Sequence, residues 1–253
     1  MTMAESGSDK GIRLNRFLAQ CGVASRRKCE SYITDGRIMV NGKVCTNLAT
    51  RIHPGDTVHA DGHQLKTKEA ITILLFKPSG VLCTTSDTHG RRTIFDLLTP
   101  KLKRANLHHV GRLDHESEGL IILTNSGELS HQITHPRHKI EKEYFVRLNR
   151  PFQGDIHTRK LLEGIEIPEG IARMVSVVQI ANRQLSVVLQ QGLKRQIRQM
   201  FAALDYDVVQ LVRTRIGNLS DEELKPGKFR YLKDSDLRRI LAAPKDPPPQ
   251  TKH

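Results

Sequence analysis

The amino-acid sequence predicts an α+β protein in two parts. A small unit covers residues 11–62, and a larger unit over 71–241 is built on a mixed, mainly antiparallel sheet flanked by helices. Three observations carry this reading. Apolar runs of strand length outnumber helical stripes; the two kinds do not alternate in a regular order; and residues 63–70, polar and without periodicity, read as a linker. A chain of 253 residues accommodates two domains.

In the first unit, Leu14, Phe17, Leu18 and Cys21 fall at i, i+3, i+4 and i+7, the apolar stripe of a short helix that Gly22 stops. Ser25 caps a second helix running to Asp35, with Cys29 and Ile33 inward, although Lys28 stands where a capping box would want Glu. Ile38–Val40, Asn41-Gly42 and Lys43–Cys45 read as strand, type I′ turn and strand, and Thr57–His59 as a further strand. In the second unit, strands are predicted over 71–76, 120–124, 142–148, 174–180, 184–189 and 208–216. Helices are predicted over 127–134, 153–163 and 194–204. Residues 1–10 and the Pro-rich 242–253 read as disordered tails.

Composition narrows the function classes. Lys and Arg number 40 against 27 Asp and Glu, a net charge of +13 and a pI near 9.8, which points to a polyanionic partner. With no Trp, seven Phe and four Tyr, a reader that stacks several bases on an aromatic sheet is disfavoured, and phosphate contacts should dominate. No apolar run approaches a membrane span and residues 1–10 lack the apolar core of a signal peptide, so a cytoplasmic protein is expected. Cys21, Cys29, Cys45 and Cys83 lack the spacing of a zinc site and are expected to be reduced thiols without a role. Neither a metal nor a nucleotide cofactor is expected.

Cations gather at the helix starts of the first unit. Arg13 and Arg16 sit on the first helix, Arg26, Arg27 and Lys28 open the second, and Arg37 and Lys43 border the hairpin. Three cations at a helix N-terminus oppose the macrodipole, an arrangement that makes sense if they receive phosphate. The segments Arg13-Leu-Asn-Arg-Phe-Leu18, Gly22-Val-Ala-Ser-Arg-Arg27 and Gly36-Arg-Ile-Met-Val-Asn-Gly-Lys43 resemble the S4-like RNA-binding domain.

In the larger unit, Gly111 and Gly119 bracket a loop holding Arg112 and Asp114 ahead of a buried strand, a placement that holds a carboxylate rigidly. The run His109-Val-Gly-Arg-Leu-Asp-His-Glu-Ser-Glu-Gly-Leu120 is similar to the catalytic segment of pseudouridine synthases. Lys77-Pro-Ser-Gly80, Lys142-Glu-Tyr144, Gln190-Gln-Gly-Leu-Lys-Arg-Gln-Ile-Arg-Gln-Met-Phe201 and Leu211-Val-Arg-Thr-Arg-Ile-Gly217 resemble further motifs of the same family. The order of an S4-like domain before a catalytic domain resembles the RsuA family. Leu193 and Gln199 depart from the usual basic residues of its motif, and Ser117 stands where Thr is commoner.

The resemblance implies a catalytic Asp114, a Tyr144 packing against the target base and an Arg198 pairing with the carboxylate. It also implies an Arg112 that holds the flipped-out state and RNA contacts from Arg195 and Arg213. It further implies isomerisation of a uridine in ribosomal RNA without a cofactor, favouring the large subunit over the small; a monomer is the default expectation. Two alternatives stand beside it. A catalytically silent ribosome-assembly factor on this scaffold would be expected to lack the carboxylate, tyrosine or arginine. A nucleoside hydrolase would be expected to carry a second carboxylate in a fixed motif.

Overall fold

A computed structural model describes residues 11–67 and 69–243, which divide into one unit up to Ala70 and another from Ile71. Of the expected tails, residues 1–10 and 244–253 lie outside the described residues.

The first unit packs two helices on a small sheet. Helix Leu14–Cys21 buries Leu14, Leu18 and Cys21, and its other buried residue, Asn15, donates to Glu30 Oε1 at 2.8 Å. Phe17, expected inward with them, is only half-buried. Helix Arg26–Thr34 starts with Ser25 Oγ accepting the Lys28 N–H at 3.3 Å, and buries Cys29 and Ile33 completely. The sheet runs in the order Lys43–Val44, Ile38–Val40, Val58–Ala60, His63–Gln64. Asn41 and Gly42 take φ of 50° and 77°, the two positive angles that a type I′ turn requires.

Two pairings escaped the pattern reading. His63–Gln64 pairs with Val58–Ala60, so the expected linker begins inside the sheet, and Ile12–Arg13 pairs with Arg51–Ile52. A strand of two residues is too short to show alternation.

The second unit is organised on a nine-stranded sheet. Its main path is Ser176–Ala181, Gln184–Leu189, Lys142–Leu148, Val208–Ile216, Glu118–Thr124, Thr72–Lys77 and Phe229–Tyr231. Strand His108–Val110 pairs with Glu118–Thr124, and Leu219–Ser220 with Val208–Ile216. The junction of Val208–Ile216 with Glu118–Thr124 is parallel, and the other strand pairs are antiparallel.

Three clusters fill the unit. One lies between strands Lys142–Leu148 and Gln184–Leu189 and helices Gly154–Glu163 and Gln196–Ala202, through Val146, Leu161, Leu185, Ile197, Met200 and Phe201. A second gathers Ile73, Leu75, Ile121 and Leu123 with Val81, Ile94 and Leu113. A third uses the alternate residues Leu74, Leu120 and Ile122, with Leu129 and Ile133 of helix Gly127–Thr134 and Ile240 of helix Asp234–Leu241. Strands 72–77 and 118–124 are therefore covered on both faces, which is why they read as continuous apolar runs. The last helix and strands His108–Val110 and Phe229–Tyr231 were not anticipated. The two strands are too short to show alternation, whereas the helix carries Leu237, Ile240 and Leu241 at i, i+3 and i+4, a stripe the sequence does display.

The parallel junction requires a close approach at Gly119, whose φ is 104°. A Cβ there would lie 2.3 Å from the Arg213 carbonyl oxygen and 2.5 Å from its nitrogen. Backbone overlap cannot be relieved by turning a side chain. Gly119→Ala should therefore destabilise the protein by roughly 2–4 kcal/mol, read as a lowered midpoint in urea unfolding. An unchanged midpoint would mean that the two strands are not in contact there.

Candidate active site

The loop bearing Asp114 has no regular structure, yet it is held at many points. Lys77, fully buried at the end of its strand, donates through Nζ to the carbonyls of Pro78 at 3.0 Å, His115 at 3.1 Å and Ser117 at 2.6 Å. An ammonium has three hydrogens, and three carbonyls receive them. Ser79 Oγ donates to the Glu116 carbonyl at 3.2 Å, and the Gly80 N–H to that of His115 at 2.9 Å. The Ser117 N–H closes a turn on the Asp114 carbonyl at 3.1 Å. Burial pushes the Lys77 pKa down, opposed by Cys83, Glu118, Asp114 and Glu116.

Lys77 was singled out only as part of a motif. It shares a sheet face with Ile73 and Leu75 of the second cluster. Cys83, expected to be without a role, accepts the Leu113 N–H at 3.4 Å, next to Asp114 in the chain. Burial pushes its thiol pKa up.

The floor beneath this loop is one row of the sheet. Val187 lies opposite Tyr144, Tyr144 opposite Arg213, Arg213 opposite Gly119 and Gly119 opposite Lys77. Residues in register share a face, so Tyr144, Arg213 and Lys77 belong to one side of the sheet. Tyr144 packs against both the cluster that contains Leu113 and the cluster that contains helix Gln196–Ala202. It stands at the seam between the two walls.

Arg198 enters from the second wall. Its Nη1 donates to the Val208 carbonyl at 2.7 Å, and its Nε lies 4.0 Å from Asp114 Oδ2. The side chains of Arg198 and Asp114 are 15% and 32% exposed, so the pair is partly withdrawn from water but open on one side. Burial pushes the Arg198 pKa down, with further repulsion from Arg195, while Glu116 and Asp114 oppose it. Lys142, two residues before Tyr144, donates to the Ile140 carbonyl at 2.6 Å. Its pKa is pushed down to about 8 by burial and by Arg213.

Among the described residues, four buried side-chain polar atoms lack a hydrogen-bond partner. Three of them, Ser117 Oγ, Arg198 Nε and Arg213 Nη2, lie on this loop or on residues touching it. Each such atom costs about 1–3 kcal/mol, and concentration of that cost in one place marks a functional site.

The structure thus brings Asp114 and Arg198 together and sets Tyr144 at the seam between the walls that carry them. Arg112 is exposed beside them. Two expected RNA contacts change character. Arg213 is 4% exposed and donates through Nε to the Leu120 carbonyl at 2.6 Å, so it is a floor residue rather than a surface cation. Its alternation with Leu211, also buried, placed it inward. Arg195 does not share a helix face with Arg198. The helix begins at Gln196, and Arg195 precedes it at φ 48° and pairs with Glu116 at 3.2 Å.

Of the substitutions relative to the family pattern, Leu193 packs on the first cluster and Gln199 donates to Glu169 at 3.0 Å. In the first unit, Arg13, Arg26, Arg27, Lys28 and Lys43 are exposed and Arg16 is half-buried. Arg37 is engaged instead. It forks onto Asp61 at 2.8 and 2.6 Å and stacks 4.0 Å over the Tyr32 ring. Arg51, which the sequence reading did not select, lies opposite Arg13 across a strand pair.

Two family models match the chain: RNA pseudouridylate synthase over residues 71–203 and S4 domain over residues 12–58. A Mycobacterium tuberculosis protein described as an uncharacterized RNA pseudouridine synthase is 39% identical over 246 residues, covering 94% of this chain and 96% of the relative. The ribosomal large subunit pseudouridine synthase B of Bacillus subtilis is 33% identical, covering 91% and 96%. The dual-specificity RNA pseudouridine synthase RluF of Escherichia coli is 35% identical, covering 90% and 78%. A crystal structure of a pseudouridylate synthase superposes with a TM-score of 0.66 at 29% identity, covering 91% of this chain and all of that one.

Lys77→Met removes the donor and leaves buried carbonyls unpartnered. It should cost about 2–4 kcal/mol in urea unfolding. Turnover measured where the variant is still folded should fall as well, because the Asp114 loop has lost its anchor. A folded Lys77→Met protein with wild-type turnover would remove this role.

Proposed function

Because the chain belongs to the RNA pseudouridylate synthase family, we propose that it converts a uridine of large-subunit (23S) ribosomal RNA to pseudouridine, with Asp114 as the catalytic carboxylate. The observation that carries the reading is the half-open Asp114–Arg198 pair at the seam beside Tyr144. The ribosomal target is supported by the name of the Bacillus subtilis relative and by the S4 domain match.

The reaction breaks the bond from ribose C1′ to N1 and forms one from C1′ to C5. A proton leaves C5 and one is gained at N1, so substrate and product are isomers and the balance calls for no oxidant, reductant or co-substrate. The target nucleotide must leave its stack, at a cost of a few kcal/mol. Exposed Arg112 is suited to hold the opened strand, and Tyr144 to pack under the extruded uracil. Asp114 acts on the sugar, either by attacking it or by removing a ribose proton, and the fixed Arg198 guanidinium keeps its charge compensated.

The exposed cations of the first unit supply sequence-independent phosphate contacts. Arg51 lies opposite Arg13 in the strand pair and adds a second cation to that edge. The chain acts in the cytoplasm on this reading; among the described residues no helix is long and apolar enough to cross a membrane.

Asp114→Asn should retain the fold and RNA affinity while slowing pseudouridine formation by at least about 10³-fold. The measurement is chemical mapping of pseudouridine on unmodified 23S and 16S transcripts. Appreciable conversion by the variant overturns the assignment; conversion confined to 16S corrects the target alone; and release of free uracil identifies a hydrolase. Arg198→Met should likewise slow conversion with RNA binding retained, and a near-wild-type rate would show that the carboxylate needs no partner.

A further inference from the structure

Glu116 lies on the Asp114 loop, and its Oε2 is 3.2 Å from Nη1 of Arg195, which stands on the other wall, three residues before Arg198. The two side chains are 55% and 43% exposed. A pair so open to water biases an equilibrium by no more than about five-fold. Neither wall depends on it.

On the Glu116 side, the backbone is held by Ser79 and by Lys77 on the neighbouring carbonyls. On the Arg195 side, Gln199 Nε2 donates to the Lys194 carbonyl at 2.7 Å and the Gln199 N–H to the Arg195 carbonyl at 3.0 Å. Arg198 is anchored on Val208, and Ile197, Met200 and Phe201 are buried in the first cluster. A structural strut is therefore the wrong description.

The pair does hold a carboxylate beside an exposed arginine on the wall facing the Asp114 loop. Glu116 is an anion at neutral pH. Its own backbone N–H, together with Arg195 and Arg198, holds its carboxyl below the usual range against a smaller opposing effect of burial. The cations that act on it are Arg195 and Arg198, and Asp114 and Glu118 are acidic neighbours two residues to either side of it in the chain.

We propose that Glu116 sets RNA affinity by occupying Arg195 in the free protein, and that an RNA backbone phosphate displaces it on binding. This rests on the reading that the Asp114 cleft receives RNA. The exchange is one of partners for a single guanidinium, so binding must open the Glu116 pair and then hold a phosphate near the released carboxylate. Both effects weaken binding, and both vanish when the carboxylate is made neutral.

Glu116→Gln keeps the size of the side chain and removes its charge. Filter binding of the full-length protein to unmodified 23S and 16S transcripts, over a series of salt concentrations, should show a dissociation constant lowered about three- to five-fold. The gain should shrink as salt rises, because screening weakens the carboxylate's competition for Arg195. The gain should be absent from the Glu116→Gln/Arg195→Gln double variant when compared with Arg195→Gln.

Unchanged or weaker binding by Glu116→Gln overturns the proposal. So does a gain that persists without Arg195, which would make Glu116 a general repulsive charge. Wild-type conversion of the same transcripts is the separate control. If it proceeds while the affinities fail to move, the Glu116 proposal falls and the synthase reading stands. If wild type neither binds nor converts either transcript, the reading beneath it falls.

Discussion

Three hydrogens on one buried ammonium meet three backbone carbonyls, and the geometry of the site depends on that match. Lys77 would be an expensive residue to bury if any of its donors were idle. Its partners on Pro78, His115 and Ser117 make it a staple between the end of one core strand and a loop that has no regular structure of its own. A reacting carboxylate has to be held to within about half an ångström. The Asp114 loop has its carbonyls pinned from below, while Leu113 is buried in the second cluster and Gly119 presses against the backbone of Arg213.

The rest of the site follows from where two hydrophobic clusters meet on one face of the sheet. The Asp114 loop belongs to one cluster through Leu113, and the Arg198 helix belongs to the other through Ile197, Met200 and Phe201. Tyr144 touches both. Packing alone thus brings a carboxylate and a guanidinium from distant parts of the chain to face each other. Polar donors left without partners at the same seam are a local cost that the clusters on either side are large enough to sustain.

Charge in this protein is sorted by burial. Arg213 and Lys77 are interior and serve the architecture. Arg37 is neutralised by Asp61 and stacked on Tyr32. The cations at the start of helix Arg26–Thr34 stay exposed, as does Arg112 at the loop. A basic composition therefore overstates the number of groups free to meet phosphate.

Periodicity and turn chemistry were sufficient for much of the fold. Strands Lys142–Leu148, Gln184–Leu189 and Val208–Ile216 and helix Gly127–Thr134 were legible to the residue. Asp114 and Arg198 could be picked from sequence because their motifs are local. The parallel junction at Gly119, the inward turn of Arg213, the Arg37–Asp61 fork and the pairing of Glu116 with Arg195 could not. Each is a contact between residues distant in the chain, and no local pattern of hydrophobicity records which charge will find which partner. Side-chain type and spacing specify what a segment can become; only the closing of the sheet and its two clusters decides which polar groups are left facing one another.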